Sequence, residues 1–370
     1  MLIAVTGGPP DMAGRLRRKF TFEQLGKYCE QYELGLLVTT PAYYNTPTSR
    51  IAGWQYKAQQ GKSVWQKTKV RTENAVVYDA MYLEDLKTYK RAYKQLRRNL
   101  ERFKTPYFNP VLPAKDAVYR VLEQAPLRYG RLPATLYNVT GADVLRMLQE
   151  SPRIWLKPTF GSGGRNMAFI ERLSPRRYRV AADRFFGKRV RQEMDSIELR
   201  AFVHAARKQR NYMAQEHVSL LKTPEGRKVD FRYTVQRAET GKWDVVAVTG
   251  RFGALGSELT NFHAGGEVKS LTFESEERKA VLESLQLPES SLFHAGNLAL
   301  TVAQRLEQVH PTLGVLGIDV GIAQDKTQYV YDCNGRPGRD ILTNAEVDAA
   351  MKSVAGFGKF LLLHHRAPVF

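Results

Sequence analysis

The chain has 370 residues, 43% of them hydrophobic, enough for two or three compact subdomains, with no apolar stretch long enough to cross a bilayer. Fifty-six Lys and Arg face 37 Asp and Glu, and the net charge of +19 predicts attraction to polyanions; no nucleic-acid-binding signature accompanies it, so charge alone supports that class of partner. Two cysteines, Cys29 and Cys333, argue against a disulfide framework and make a reducing, cytoplasmic compartment the default.

Met1-Leu2-Ile3-Ala4-Val5 reads as an opening strand, broken by Gly7-Gly8-Pro9-Pro10 too soon for a signal peptide. It opens an α/β unit over residues 1–105 that includes a basic segment, Arg15 to Lys19. The stretch Asp85–Lys104 predicts a helix: Leu86, Tyr89, Tyr93, Leu96, Leu100 and Phe103 recur every three or four residues. Its remaining faces are basic, which suits either a solvated surface or a polyanion contact. Lys115 to Glu123 and Asp143–Glu150 read as helices, with a boundary at Pro126 to Pro133. Residues 154–220 should form a small subdomain. Val229–Ala238 and Trp243–Phe252 alternate as a hairpin around Glu239-Thr240-Gly241-Lys242. A long helix over Ser291–Gln308 leads into two further strand-like runs, and a last helix starts near Asn344.

Two segments carry chemistry. Between Val315 and Gly338, two apolar runs flank the polar turn Ala323-Gln324-Asp325-Lys326-Thr327, with Asp319 on the first and Asp332 on the second. Asn334 lies two residues after Asp332 and so leaves an extended strand on the same face. A hairpin would gather two carboxylates and an amide oxygen, a hard donor set suited to Mg²⁺, which keeps waters and takes further ligands from substrate phosphates. The alternative is a hairpin with solvated acids. Cys333 should point to the opposite face, into packing; a thiolate ligand is the other reading, but Mg²⁺ prefers oxygen. Upstream, the run Ile154-Trp155-Leu156 ends at Lys157 and enters a glycine-rich loop through Gly161, Ser162, Gly163 and Gly164, followed by the run Met167 to Ile170. No GK[ST] closes this loop, so it is not a Walker A loop. Strand, loop, strand suits a flap over a triphosphate or an ordinary hairpin tip.

Taken in order, Lys157-Pro158-x-x-Gly161-Ser162-x-Gly164-Arg165, Asp230-Phe231-Arg232, Asn261-x-His263-x-Gly265-Gly266, Gly317-Ile318-Asp319 and Asp332-x-Asn334-x-x-Pro337-Gly338 resemble the ATP-grasp enzymes. Within them, the sequence is most similar to the YheC/YheD endospore coat-associated family over about residues 106–340; Arg15, Phe20, Trp65 and Val76-Val77-Tyr78-Asp79 resemble that family's amino-terminal part. The resemblance implies an α/β (α+β) ATP-grasp fold in which two α+β subdomains grip ATP. An N-terminal pre-ATP-grasp unit (1–105) would precede an ATP-grasp domain (106–370), with flap and hinge at about 154–220 and metal binding at about 225–345. It implies ATP and two Mg²⁺ ions as cofactors. Asp319, Asp332 and Asn334 would hold metal; Lys115 and Lys157 would contact nucleotide. Gly161, Ser162, Gly163 and Gly164 would form the phosphate flap, and Gln215, Glu216, His217 and Val218 the hinge that reads adenine. Arg232 would lie near the phosphates and Arg251 beside the acceptor. His263 is a general base or a loop-stabilising hydrogen-bond partner.

Two positions depart from the pattern. Most of these enzymes carry glutamate where Asp332 stands, and Ala80 and Met81 occupy the place of an arginine expected soon after the Val-Tyr-Asp segment. The activity implied is an ATP- and Mg-dependent carboxylate–amine ligase working through an acylphosphate on an unidentified acid and amine. Spore-coat association, with an anionic polymer or coat partner, rests on the family alone. The alternatives are a nucleotide-binding structural protein without turnover, a polyanion-binding module, and a small-molecule kinase of the same fold.

Overall fold

The computed structural model describes residues 1–8, 16–161, 163–255 and 266–364, arranged around three sheets. In the first, the continuous apolar run Leu2–Val5 is buried on both faces and pairs in parallel with Leu36–Thr39 and Val76–Asp79, as a strand covered on both sides must. Helix Leu16–Gln31 covers one face through Phe22, Leu25 and Cys29. Helix Lys90–Arg102 covers the other through Leu96 and Leu100. The predicted helix over Asp85–Lys104 is two pieces, Leu83–Thr88 and Lys90–Arg102, hinged at Tyr89. Leu86, Tyr89, Tyr93, Leu96 and Leu100 face the core as expected, but Phe103 is 38% exposed, because the helix ends there and Lys104 turns the chain with φ 50°.

The second sheet is antiparallel, with Arg153–Pro158 between Ala168–Ser174 and Tyr212–Glu216. Helices Gly141–Glu150 and Ser196–Gln209 pack on it through Val144, Leu148, Leu199 and Val203. Each begins with a reciprocal cap, Thr140 with Asp143 and Asp195 with Glu198, which satisfies otherwise orphaned N–H groups.

The third sheet runs Glu267–Ser270, Trp243–Phe252, Val229–Arg237, Val315–Ile322, Gln328–Asn334, all antiparallel. Helix Glu289–Val309 fills one face with Leu292, Leu298, Val302 and Leu306. Helix Asn344–His364 lies on the other, and its Val347, Met351, Val354 and Phe357 share a core with Leu2, Phe22 and Leu25 of the first sheet. The last helix therefore joins the first sheet to the third. A cavity of about 610 Å³ is lined by residues from all three sheet units, and the candidate site is built there.

Candidate active site

The two strands Val315–Ile322 and Gln328–Asn334 form a hairpin whose register shifts once. Beside the turn Val320 pairs with Val330; past the shift Asp319 pairs with Asp332 and Gly317 with Asn334. Tyr331 is thus the extra residue of a β-bulge, and bulges re-aim side chains next to active sites. With no bulge, Tyr331 would stand opposite Asp319. As built, the carboxylates of Asp319 and Asp332 share one rung, and Asp332, Asn334 and Asp319 all line the cavity. Cys333 points the other way into the main core cluster, and burial pushes its thiol well above the ordinary range. It stays a protonated packing group at neutral pH.

The neighbouring strand supplies guanidinium groups. Arg232 sits opposite Asp319 in register and grips it bidentately, Nε and Nη2 donating at 2.5 and 2.8 Å. Arg251 donates to Asp230 at 2.6 and 2.8 Å and reaches Asp319 at 2.9 Å. The Tyr331 hydroxyl also donates to Asp230. Burial alone would raise the pKa of Asp319, but Arg232 and Arg251 outweigh it and hold the carboxyl at about 2. Burial likewise opposes the Arg251 charge, and Asp230 and Asp319 overcome that and raise its pKa.

Two lysines complete the cluster. Lys115 opens a helix, Lys115–Leu122, and donates to Asp332; its backbone N–H bonds the Thr159 carbonyl at 2.9 Å, which ties this helix to the base of the flap. Lys157, buried, donates to the Gln215 side-chain oxygen at 2.5 Å and the Tyr331 carbonyl at 3.4 Å. Burial first, and the nearby Lys115 second, pull its pKa down to about 7. Four cations thus surround three carboxylates, Asp230, Asp319 and Asp332.

That balance tests the fit of a divalent ion. The oxygen donors suit Mg²⁺, and the described residues hold no group of three or more His, Cys, Asp or Glu that could cage an ion unaided. Asp319 already accepts three N–H bonds of about four it can take, and Asp332 keeps an open side toward the cavity. Asp319, Asp332 and Asn334 fit a metal that completes its shell from phosphates and water.

The flap closes the cavity opposite. Gly163 and Gly164 turn with φ of 68° and 69°, left-handed conformations open to glycine at little cost. Gly161, Gly163 and Gly164 line the cavity, and Arg165 crosses its mouth to Glu84 at 3.1 Å. Ser162 lies outside the described residues, as do His263, Asn261 and Gly265. At the hinge, Trp155, Met167, Gln215, Glu216, His217, Val218 and Leu220 surround a side pocket of about 70 Å³. The His217 ring stands 5.2 Å from Phe169 and 6.4 Å from Trp155. The Glu216 and His217 N–H groups bond Ala134 and Arg153 carbonyls, while the Val218 N–H has no partner among the described residues. The Gln215 side chain is committed to Lys157 and, at 3.1 Å, to Thr135. The structure therefore brings together all the described candidate residues around one cavity and its side pocket, Gln215 and Arg251 through buried bonds to Lys157 and Asp319.

Sequence reasoning missed the far end. Arg336 reaches Asp79 at 2.6 Å and the Met81 carbonyl, so a guanidinium stands beside Asp79 although Ala80 and Met81 supply none. Arg18 pairs with Asp85 at 3.1 Å, and Arg339 donates to the Tyr78 hydroxyl. The signal for two of these was adjacency: Arg336 and Arg339 flank the Pro337-Gly338 pair already singled out.

The family model YheC/D-like ATP-grasp matches residues 104–361. The chain is 24% identical over 329 residues to endospore coat-associated protein YheD of Bacillus subtilis, covering 87% of this chain and 67% of that one. It is 23% identical over 319 residues to YheC of the same organism, covering 85% and 84%. Among solved structures it is similar to macrocyclase MdnC of Microcystis aeruginosa, bound with precursor peptide MdnA (TM-score 0.51, 11% identity, 96% and 99% coverage), and to D-alanyl-alanine synthetase A of Vibrio cholerae (0.50, 11%, 98% and 98%). A RiPP-associated ATP-grasp ligase of Chryseobacterium gregarium, in complex with ADP and leader and core peptides, gives 0.50 at 15% identity, covering 96% of each chain. These likenesses establish the fold.

Proposed function

This chain belongs to the YheC/D-like ATP-grasp family, and from that premise we propose that it is an ATP-dependent ligase joining a carboxylate to an amine through an acylphosphate. The observation that carries the reading is the rung Asp319–Asp332 set among Lys115, Lys157, Arg232 and Arg251 in a cavity closed by a glycine flap. One carboxylate oxygen of the acid attacks the γ-phosphorus, the bond to the bridging oxygen breaks, and ADP leaves with that electron pair. The amine then adds to the acyl carbon, loses a proton and expels inorganic phosphate. Phosphoryl transfer asks little covalent chemistry of the protein, so positioning and charge neutralisation carry the rate. Lys157 and Lys115 would neutralise phosphate oxygens, Arg232 would face charge developing at the γ-phosphate, and Gly161, Gly163 and Gly164 would lay N–H groups over it. Mg²⁺ held by Asp319, Asp332 and Asn334 would supply Lewis-acid charge at the phosphates. The flap would shield the acylphosphate from water.

The adenine ring would enter the side pocket between Trp155, Met167 and Leu220, with the Val218 N–H free to donate to its edge. The test is hydroxylamine trapping: an acylphosphate gives a hydroxamate with any acid the site accepts, without knowledge of the amine. Acid-dependent ADP release with hydroxamate supports the ligase. Magnesium-dependent binding of a non-hydrolysable ATP analogue with no ADP release from a broad acid panel overturns it.

A second reading keeps nucleotide binding without turnover and places the protein on an anionic polymer of the spore coat, as the names of its relatives suggest. One feature favours it: the hairpin strands Arg50–Gln59 and Lys62–Arg71 carry six basic residues and no acidic one. Retention on heparin that is lost steeply with salt would support it. Among the described residues no helix is long and apolar enough to cross a membrane.

A further inference from the structure

Eight Lys and Arg side chains line the cavity, and six of them are ion-paired with carboxylates in the arrangement described above. The two exceptions stand at opposite ends. Lys157 has only neutral partners, the Gln215 oxygen and the Tyr331 carbonyl, and it lies at the nucleotide end, between the main cavity and the side pocket. Arg339 lies at the other end, where the first sheet closes the cavity, and its one side-chain partner among the described residues is the Tyr78 hydroxyl.

A guanidinium has five N–H donors in a planar fork, and Arg339 spends one on a phenol. A partly buried charge without a counter-charge is costly, and a chain that pairs six of eight cavity cations leaves the other two without a carboxylate among the described residues where a ligand brings the anion. The same wall holds further unspent donors: Arg18 Nη1 and Arg336 Nε are buried without hydrogen-bond partners among the described residues. Tyr82 lines the cavity there, with the Arg18 guanidinium 5.7 Å from its ring centre. The phosphates of ATP would be met at the other end by Lys115, Lys157 and Arg232, so the free fork faces the second substrate.

We propose that Arg339 anchors a second carboxylate on the acid substrate, which is therefore a dicarboxylate, free or as an acidic amino-acid residue, activated at one carboxyl and held at the other. This rests on the ligase reading for the fate of the first carboxyl; the anchoring itself is a binding property. Planar guanidinium and planar carboxylate make two parallel charge-assisted hydrogen bonds, which a neutral amide of the same shape does not reproduce.

The experiment titrates protein saturated with Mg²⁺ and a non-hydrolysable ATP analogue with C4 to C6 dicarboxylates (succinate, glutarate, glutamate, adipate) and with their matched half-amides, beside hydroxylamine trapping with ATP. Variants are Arg339→Gln and Arg339→Lys, with analogue affinity as the check on folding. The wild type should bind a diacid on the order of 10- to 100-fold more tightly than its half-amide, the span of a lost charged hydrogen-bond pair. Arg339→Gln should abolish that preference and Arg339→Lys retain part of it, with analogue affinity unchanged. A residue that merely props Tyr78 would weaken diacid and half-amide together, and that result overturns the proposal. So does equal binding of diacid and half-amide to the wild type, or no binding of any diacid. Arg339-dependent binding without hydroxamate leaves the anchor standing and removes the ligase. Hydroxamate formed equally well from half-amides removes the anchor and leaves the ligase.

Discussion

Asp319 and Asp332 stand opposite one another on adjacent strands, yet their carboxylates are held apart by different cations, Arg232 and Arg251 on one and Lys115 on the other. Two carboxylates on one rung would repel; here Lys115, Arg232 and Arg251 already offset Asp230, Asp319 and Asp332, and Lys157 adds a partial positive charge near neutrality. A divalent ion arriving alone would add charge of the wrong sign. One arriving on a polyphosphate would not, because the phosphates draw off the lysines and arginine and free the carboxylates.

Magnesium should therefore enter with nucleotide rather than before it. Titration with Mg²⁺ alone should show no saturable binding below about millimolar, and analogue affinity should rise by about tenfold or more when Mg²⁺ is present. Asp319→Asn should erase most of that magnesium effect. Tight binding of the ion to nucleotide-free protein would contradict the charge argument.

Lys157 sets a pH dependence. In the free protein its pKa is about 7, so above neutrality it is largely uncharged; a bound polyphosphate would return it toward its ordinary range near 10.5. The binding contribution is fully present below pH 7 and is lost as pH rises above it, by up to about tenfold per unit. At pH 8 binding should take up nearly one proton, read as a dependence of calorimetric enthalpy on buffer ionisation enthalpy. Lys157→Met should bind more weakly at pH 6.5 and show neither uptake nor slope.

Much of the fold was legible because long periodic segments decide their own structure. Val229–Arg237, Trp243–Phe252, Glu289–Val309 and Asn344–His364 fall where apolar spacing predicts them. The break at Tyr89 was not, since its apolar stripe continues through it. Nor were the bulges. Near the hairpin turn Val235 pairs with Val245, but beyond the shift Thr234 pairs with Ala247, and only this extra residue puts Arg251 opposite Asp230. The second bulge does the same for Asp319 and Asp332. One inserted residue flips every side chain beyond it to the other face, and sequence alternation does not fix where the insertion falls.

Asp230 belongs to architecture more than to chemistry. It is fully buried and holds Arg251, with Tyr331 bonded to the same carboxylate. Removing one member of a buried pair costs about 3–5 kcal/mol when the other is left without a counter-charge, and Arg251, which keeps Asp319, puts this site at the lower end of that range. Asp230→Asn should lose stability of that order in denaturant unfolding, and Tyr331→Phe about 1 kcal/mol. Asp332→Asn, whose partner Lys115 is partly exposed, should unfold much like the wild type while losing magnesium-assisted nucleotide binding. Equal losses of stability at 230 and 332 would break this division.

The aspartate at 332 has a consequence that can be measured. The resemblance to ATP-grasp enzymes implies a glutamate at this place, one methylene longer than the aspartate present, and the shorter side chain reaches less far from the strand toward the phosphates. The position borders the cavity and its side chain is 22% exposed, so a longer carboxylate has room to extend without repacking the core. If reach limits the second metal contact, Asp332→Glu should leave unfolding unchanged, strengthen the magnesium dependence of analogue binding, and raise hydroxamate formation severalfold. If Lys115 and Asp332 are instead matched in length, the longer acid would push the ammonium from its place and both readouts would fall. An increase places the limit on turnover in that single methylene; a decrease shows that this site has been tuned around aspartate, with Lys115 as its counterpart.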